Sequence, residues 1–389
     1  MIGATTRRGE RSSWRIATVG IAYLACLGLL WLGVVILLDP GAIPRILSSV
    51  YETLGLGAQS AAIERRGLQD GFSRLITTFF ALVVGVGGVW LLFITGNALV
   101  ESTPPRLRSQ LRPWLFVLPA LVLLGIYLVY PLVETIRLSV TEDGGLLANY
   151  SFVFTDAGMQ TAMRNNALWL VIGTSGSVVI GLVFAALADR VKREAFAKTF
   201  IFLPVAISAV GAAVIWRFVY AWRPAGSDQI GMLNAAWTAI GYEPVAFLQV
   251  MPWNNLFLIV IMIWVQTGFA MVVLSAALKG VPSELVEAGR IDGASEIQLF
   301  FRVVLPSIRG AVITVATTIF IVILKVFDIV FVMTGGRFET EVIANRMFSE
   351  MFRFRNFGRA SALAVVLLIV VIPIMVVNIR NLRRQGVDS

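Results

Sequence analysis

The sequence predicts an all-α, polytopic helical membrane protein with about eight transmembrane helices. Three observations carry that expectation. Of 389 residues, 58% are hydrophobic and 14% charged, where soluble domains carry about 25% charged residues. The apolar residues collect in long blocks, each able to cross the roughly 30 Å of hydrocarbon that takes about 20 helical residues. Lys and Arg concentrate in alternate connecting segments, the pattern of cytoplasmic loops. The composition argues against a soluble enzyme, a disordered chain or a disulfide scaffold. Cys26 is the one cysteine, and no histidine is present for zinc, a catalytic triad or a proton relay. None of Lys192, Lys198, Lys279 and Lys325 sits in a G-x-x-x-x-G-K-[ST] loop, so no ATP site, cofactor or metal is expected in this chain. The net charge of +9 fits basic inner loops rather than a nucleic-acid partner.

The first expected span, residues 16–38, follows Arg7, Arg8, Arg11 and Arg15. Its apolar run exceeds the roughly 7–15 residues of a signal-peptide core, so it reads as a retained anchor. An exterior segment, 39–74, leads to a second span at 75–95. Pro104-Pro105 and an Arg-rich linker then divide an N-terminal extension, 1–103, from a six-span core, 104–389. The core spans are expected at 114–133, 166–188, 199–220, 255–278, 311–333 and 362–379. With both termini cytoplasmic, 18 of the 32 Lys and Arg residues fall in the roughly 85 residues placed inside. The basic turn 189–198 and Arg380, Arg383 and Arg384 contribute to that bias. Trp14, Trp114, Trp222 and Trp253 lie near the proposed interfaces. Gly173-x-x-x-Ser177-x-x-x-Gly181 and Ser208-x-x-x-Ala212 are small-residue ridges suited to close helix contact. No internal repeat supports an inverted-repeat transporter.

The most informative connection is 281–306, placed in the cytoplasm. Pro282 suits a first helical turn. Asp292-Gly293 is a turn pair, with Gly293 able to take the left-handed conformation that ends a helix. Ser295 and Gln298 fit a capping box. Ile297, Phe300, Phe301 and Val304 then form one apolar stripe, and Pro306 stops the helix. The stripe needs cover, from a partner surface or from the chain's own helix ends.

The same residues resemble the EAA loop of the membrane subunits of binding-protein-dependent ABC importers. That pattern is E-A-A, three residues, G, nine residues, then I-x-L-P. This chain has Glu287-Ala288-Gly289, then Gly293 after three residues, then Val303-Val304-Leu305-Pro306 after nine. Gly289 and Val303 are the departures. The resemblance implies the type I ABC importer permease fold. It further implies that Glu287, Ala288, Gly289, Asp292, Gly293, Ala294, Leu305 and Pro306 dock on an ATPase subunit and carry its motion to the membrane. Eight spans, two of them ahead of six, resemble the larger membrane subunit of the maltose importer, without the large exterior domain that 134–164 is too short to hold. Gly231-Met-Leu-Asn234 resembles the exterior loop that meets the binding protein in sugar permeases, and the run 325–336 resembles the close of their penultimate span. The runs 202–208 and 264–269 look most like the α-glucoside permease subgroup. The family implies a second permease subunit, an ATPase dimer carrying ATP-Mg, an extracytoplasmic sugar-binding protein, a sugar cargo, and residence in a bacterial or archaeal plasma membrane. The chain itself would do no chemistry.

Polar residues within spans give the pathway candidates. Gln266 and Thr267 beside Phe269 suit a sugar's hydroxyls and apolar faces, or else make an interhelical hydrogen bond. Lys325 and Asp328, three apart on the expected span 311–333, share a helix face and can pair. They then form a pathway contact or a structural ion pair. Asn165, Asn166 and Arg217 read as interfacial snorkelling or capping residues. The alternatives are a permease of the same family for glycerol phosphate or an amino acid, or an ion-coupled secondary transporter that uses Lys325 and Asp328 and needs no ATPase.

Overall fold

The computed structural model describes residues 93–387 except Arg190, preceded by Ile21, Leu24, Ala25, Gly28, Phe79, residues 86–88 and Trp90, with side chains described to Val376. The expected span 16–38, the segment 39–74 and most of the span 75–95 lie outside the described residues. Every regular element among those described is helical. Four helices there are long and apolar enough to cross a membrane, and six spans result if each of two bent pairs is one crossing.

The chain divides into two compact units, ending and beginning at Pro131 and Leu132. In the first, Ser102 and Thr103 fold their hydroxyls back onto Leu99 O and Val100 O. Pro104 then caps α1, Pro105–Thr141, which tolerates Pro105 in its first turn because that N–H would lack a partner anyway. A π turn at Gly125–Val129 interrupts its regular bonding.

In the second unit, α2 (Gly145–Thr155) leads to α3 (Ala157–Ala188). Asp156 caps α3 by accepting from Met159 N at 3.0 Å. The pair α4 (Glu194–Ala206) and α5 (Ala209–Val219) is bent by 103°. A short helix α6 (Met232–Ala239) precedes α7 (Asn254–Lys279). Next come α8 (Ser283–Ile291) and α9 (Glu296–Ser307), then α10 (Arg309–Leu324), α11 (Asp328–Met333), α12 (Ile343–Phe348) and α13 (Phe357–Val387).

Glycines set the core spacing. A Cβ on Gly181 would lie 2.5 Å from Ala270 Cβ and 3.0 Å from Met271 N of α7. On Gly176 it would meet Ile263, and on Gly173 Ile323 of α10. Ser177, fully buried, returns its hydroxyl to Gly173 O at 2.7 Å. The ridge expected from 173, 177 and 181 therefore packs α3 onto α7 and α10. Trp169, Ile259, Ile261, Met271, Leu274, Ile319 and Ile323 fill the layer between these helices. A second cluster joins α2, α12 and α13 through Phe152, Val153, Ile343, Ala362 and Leu363.

Two expected spans are broken rather than continuous. Within 199–220, Pro204 lacks an N–H and Ile207 is extended, and Ser208 Oγ caps the next helix by accepting from Gly211 N at 3.0 Å. Gly268 of α7 makes room for the elbow: a Cβ there would lie 2.6 Å from Ile201 O. Within 311–333, α10 ends at Leu324 and α11 begins at Asp328. Asn166 holds this break from α3. Its amide donates to Leu324 O at 3.2 Å and its Oδ1 accepts from Ile343 N at 2.9 Å. The interfacial reading of Asn165 and Asn166 is thereby corrected, since both are buried and bond backbone of distant segments.

Two outcomes test this packing. Gly181→Leu should cost about 1–3 kcal/mol through overpacking, read as a lowered thermal midpoint in detergent, and Gly176→Ala should cost less because only the Ile263 side chain must move. Asn166→Leu strands a carbonyl and an N–H at about 1–3 kcal/mol each; a midpoint equal to the parent's would contradict the clamp.

Candidate functional site

The connection 281–306 forms two short helices at the end of α7. Pro282 caps α8. Gly293, at φ +78, ends it, donating to Arg290 O at 3.0 Å while Ala294 N donates to Gly289 O at 3.1 Å. This is the paired closure of a Schellman turn. Ser295 and Gln298 then form the expected capping box, with bonds of 3.3 and 3.0 Å. Arg290 and Glu296 pair across the turn at 3.0 Å, and that pairing raises the Arg290 pKa further above its ordinary value.

The two helices meet at Gly289. A Cβ there would lie 2.5 Å from Leu299 Cδ2, and Leu299 is buried. Leu299 is thus the knob that joins α8 to α9, a role that the expected stripe missed. A π turn at Phe300–Val304 shifts the register. Phe300 and Val304 are half-buried, whereas Ile297 and Phe301 are exposed. The helix also runs through Pro306 to Ser307 and bends 71° from α10, so Pro306 lies in the last turn rather than at a stop. Glu287, Ala288 and Asp292 are exposed, and Ala294 and Leu305 half-buried. With Leu285, Ile291, Ile297 and Phe301 also exposed, the pair presents apolar side chains among charges.

The root of this loop is tied to the spans by a network that the sequence did not reveal. Lys198 Nζ donates to Asp189 Oδ1 and Glu194 Oε1, each at 2.6 Å, and bonds Ser275 Oγ. Ser275 Oγ donates to Asp189 at 2.8 Å, and Lys279 pairs with Glu194. The ends of α3, α4 and α7 are thereby joined four residues before α8 begins.

The pathway candidates differ in their surroundings. Gln266 is half-buried, with no hydrogen bond among the described residues, and Phe269 is half-buried against the core. Thr267 is buried and returns its hydroxyl to Ile263 O at 2.6 Å, so it makes no interhelical bond. Lys325 is exposed and Asp328 half-buried, on either side of the break. They share no continuous helix face, and no ion pair joins them among the described residues.

At the other end of α7 two loops are held by buried asparagines. Asn234 donates to Ala221 O and Val245 O at 3.0 Å and accepts from Val245 N at 2.8 Å. Gly231 lies so close to Ala221 O that a Cβ would come within 2.0 Å. The Asn234 amide and the close approach at Gly231 thus fix this loop. Beyond α11, Phe338 and Glu339 both adopt φ +58, a left-handed backbone that costs of order 1–3 kcal/mol per non-Gly residue. Asn254 donates to Phe338 O at 2.6 Å, Asn165 to Glu339 O and Glu341 O at 2.7 and 2.8 Å, and Asn255 to Glu339 O at 3.3 Å. Beneath this turn, burial pushes the Glu341 carboxyl above its usual range, against bonds from Asn345 and Val342 N that pull it down.

The family described as "Binding-protein-dependent transport system inner membrane component" matches residues 177–384. The osmoprotective compounds uptake permease protein GgtC of Synechocystis sp. is 54% identical over 275 residues, covering 70% of this chain and 99% of the relative. The alpha-glucoside transport system permease protein AglF of Rhizobium meliloti is 51% identical over 292 residues, covering 74% and 87%. A bacterial alginate ABC transporter, solved in complex with alginate pentasaccharide-bound periplasmic protein, shares the fold at a TM-score of 0.61 and 22% identity, over 72% of this chain and 98% of that one. The chain belongs to the inner-membrane components of binding-protein-dependent transport systems, the permease subunits of ABC importers.

Proposed function

We propose that this permease carries α-glucosides or related oligosaccharides inward, driven by ATP hydrolysis on partner ATPase subunits. The observation that carries the mechanism is the rigid unit α8–α9. A Schellman turn, a capping box and the Gly289–Leu299 contact hold it as one body, so a push on exposed Glu287, Ala288 and Asp292 reaches α10 with little lost to bending. Gly293 supplies the turn, Ala294 its closing N–H, and Leu305 and Pro306 the join to the span. The sugar class is supported by relatives at 54% and 51% identity, one named for osmoprotective compounds and one for α-glucosides.

The family further supports a second permease subunit, an ATPase dimer carrying ATP-Mg, and an extracytoplasmic binding protein, with both termini of this chain in the cytoplasm. Residues 1–103 then add two spans to a six-span core. The sugar is read to pass Gln266 and Phe269, with Thr267 as support, and the unwound stretch between Lys325 and Asp328. Irregular backbone at membrane depth is tolerated where it lines water or is buried in protein, and exposed Lys325 fits the former. Differential affinity of the partners for the two states supplies the coupling.

Uptake of labelled α-glucosides by the reconstituted complex, with and without ATP, tests the reading; uptake driven by a pH gradient without ATP would overturn it. Gly293→Pro cannot adopt φ +78 and loses the N–H bonded to Arg290 O. It should lower ATP-coupled uptake about tenfold or more while membrane insertion persists. Lys325→Met should leave stability within about 0.5 kcal/mol, since it breaks no ion pair, yet slow uptake of the sugar. A destabilised variant with normal uptake would assign Lys325 a structural role.

A further inference from the structure

The turn between α3 and α4 carries more positive charge than its own acids neutralise. Lys192, Arg193 and Lys198 lie in it, and Lys279 reaches it from the end of α7, against the carboxylates of Asp189 and Glu194. Both carboxylates are already engaged. Asp189 accepts from Lys198 and Ser275, and Glu194 from Lys198 and Lys279. Lys192 and Arg193 are exposed, and their side chains have no partner among the described residues. With Glu194, Ala195, Phe196 and Lys198 they line a hollow of about 710 Å³, within the roughly 300–1,000 Å³ of small-molecule sites.

The surface beside this hollow is apolar. Phe196 and Phe200 lie one turn apart on α4, 63% and 61% exposed, with ring centroids 4.7 Å apart. Leu203 continues the stripe, and Leu187 and Val191 are exposed on the α3 side. The bent pair to which α4 belongs is apolar enough to cross a membrane, so the stripe faces hydrocarbon while the free charges sit at its polar end. A soluble protein face cannot follow such a stripe without burying its own polar groups in hydrocarbon. A second membrane helix would have to bring carboxylates to meet Lys192 and Arg193. An anionic glycerophospholipid has both parts in one molecule. Its phosphate accepts from an ammonium and, in bidentate fashion, from a guanidinium, and its acyl chains cover the aromatic stripe. Basic recesses between membrane helices suit such headgroups.

We propose that Lys192, Arg193 and Phe196 form a binding site for an anionic phospholipid, with the phosphate on the two cations and the acyl chains laid along Phe196, Phe200 and Leu203. The leaflet is the one on the side of the loop 281–306, because Lys279 bonds Glu194 four residues before α8 begins. The site goes beyond the transport reading and is independent of the cargo.

The test uses the full complex in phosphatidylcholine vesicles holding a minor share of phosphatidylglycerol, with a photoreactive phenylalanine analogue at 196. Adducts identified by mass should contain phosphatidylglycerol about tenfold or more above its share of the vesicle. Lys192→Gln together with Arg193→Gln should return the adducts to the vesicle's own ratio. Lys192→Arg together with Arg193→Lys, which keeps both charges, should retain the enrichment. Adducts at the vesicle's ratio in the parent, adducts only with another subunit or a second copy, or enrichment that survives the glutamine pair would each overturn the site. Inorganic phosphate should leave the enrichment unchanged relative to chloride at equal ionic strength; its loss would assign the hollow to a free anion and overturn the lipid.

Discussion

Inside the hydrocarbon of a bilayer no water rescues an unpaired peptide group, so an interrupted helix needs a protein partner or a water-filled lining. Two of the expected spans are broken, and each break has its own solution. At 207–208 the backbone supplies most of it: a proline with no N–H to lose, and a serine that caps the helix beyond the bend. At 325–327 the chain borrows from elsewhere. Asn166 takes the freed carbonyl of Leu324 and the first N–H of α12 together. A single amide thus ties the end of α10 to the start of α12, with Lys325 and Asp328 on either side of the break.

The two faces of the permease use different means of rigidity. Within the loop 281–306 the means are local: a left-handed glycine, a capping box and one knob against one glycine. At the opposite end of α7, asparagines buried among the span ends reach across more than 80 residues of sequence to grip carbonyls. The first arrangement is held within the loop itself, the second by the span ends.

This difference explains what the sequence made legible. The loop 281–306 was readable because Pro282, Gly293, Ser295 and Gln298 act on neighbours within a few residues. The ridge at Gly173, Ser177 and Gly181 was readable because helical spacing alone puts small residues on one face. The two breaks were not, because hydropathy does not fall there, and the residues that hold them open, Asn166 and Gly268, lie far away in the chain. Lys325 and Asp328 looked paired only on the assumption of an unbroken helix. The apolar stripe was misassigned at Leu299 because the π turn inserts an extra residue that periodicity does not announce. The Lys198 network joins Asp189 to Ser275 across 86 positions, beyond any local pattern.

Gly289 shows what a departure from a family pattern can mean. The pattern's alanine would place a methyl group in the space that Leu299 now fills. A chain with that alanine must hold its two loop helices slightly further apart, or carry a slimmer residue opposite. Positions 289 and 299 therefore divide one fixed volume between them. Transplanting this loop into a relative, or a relative's loop here, calls for exchanging both residues as a matched pair.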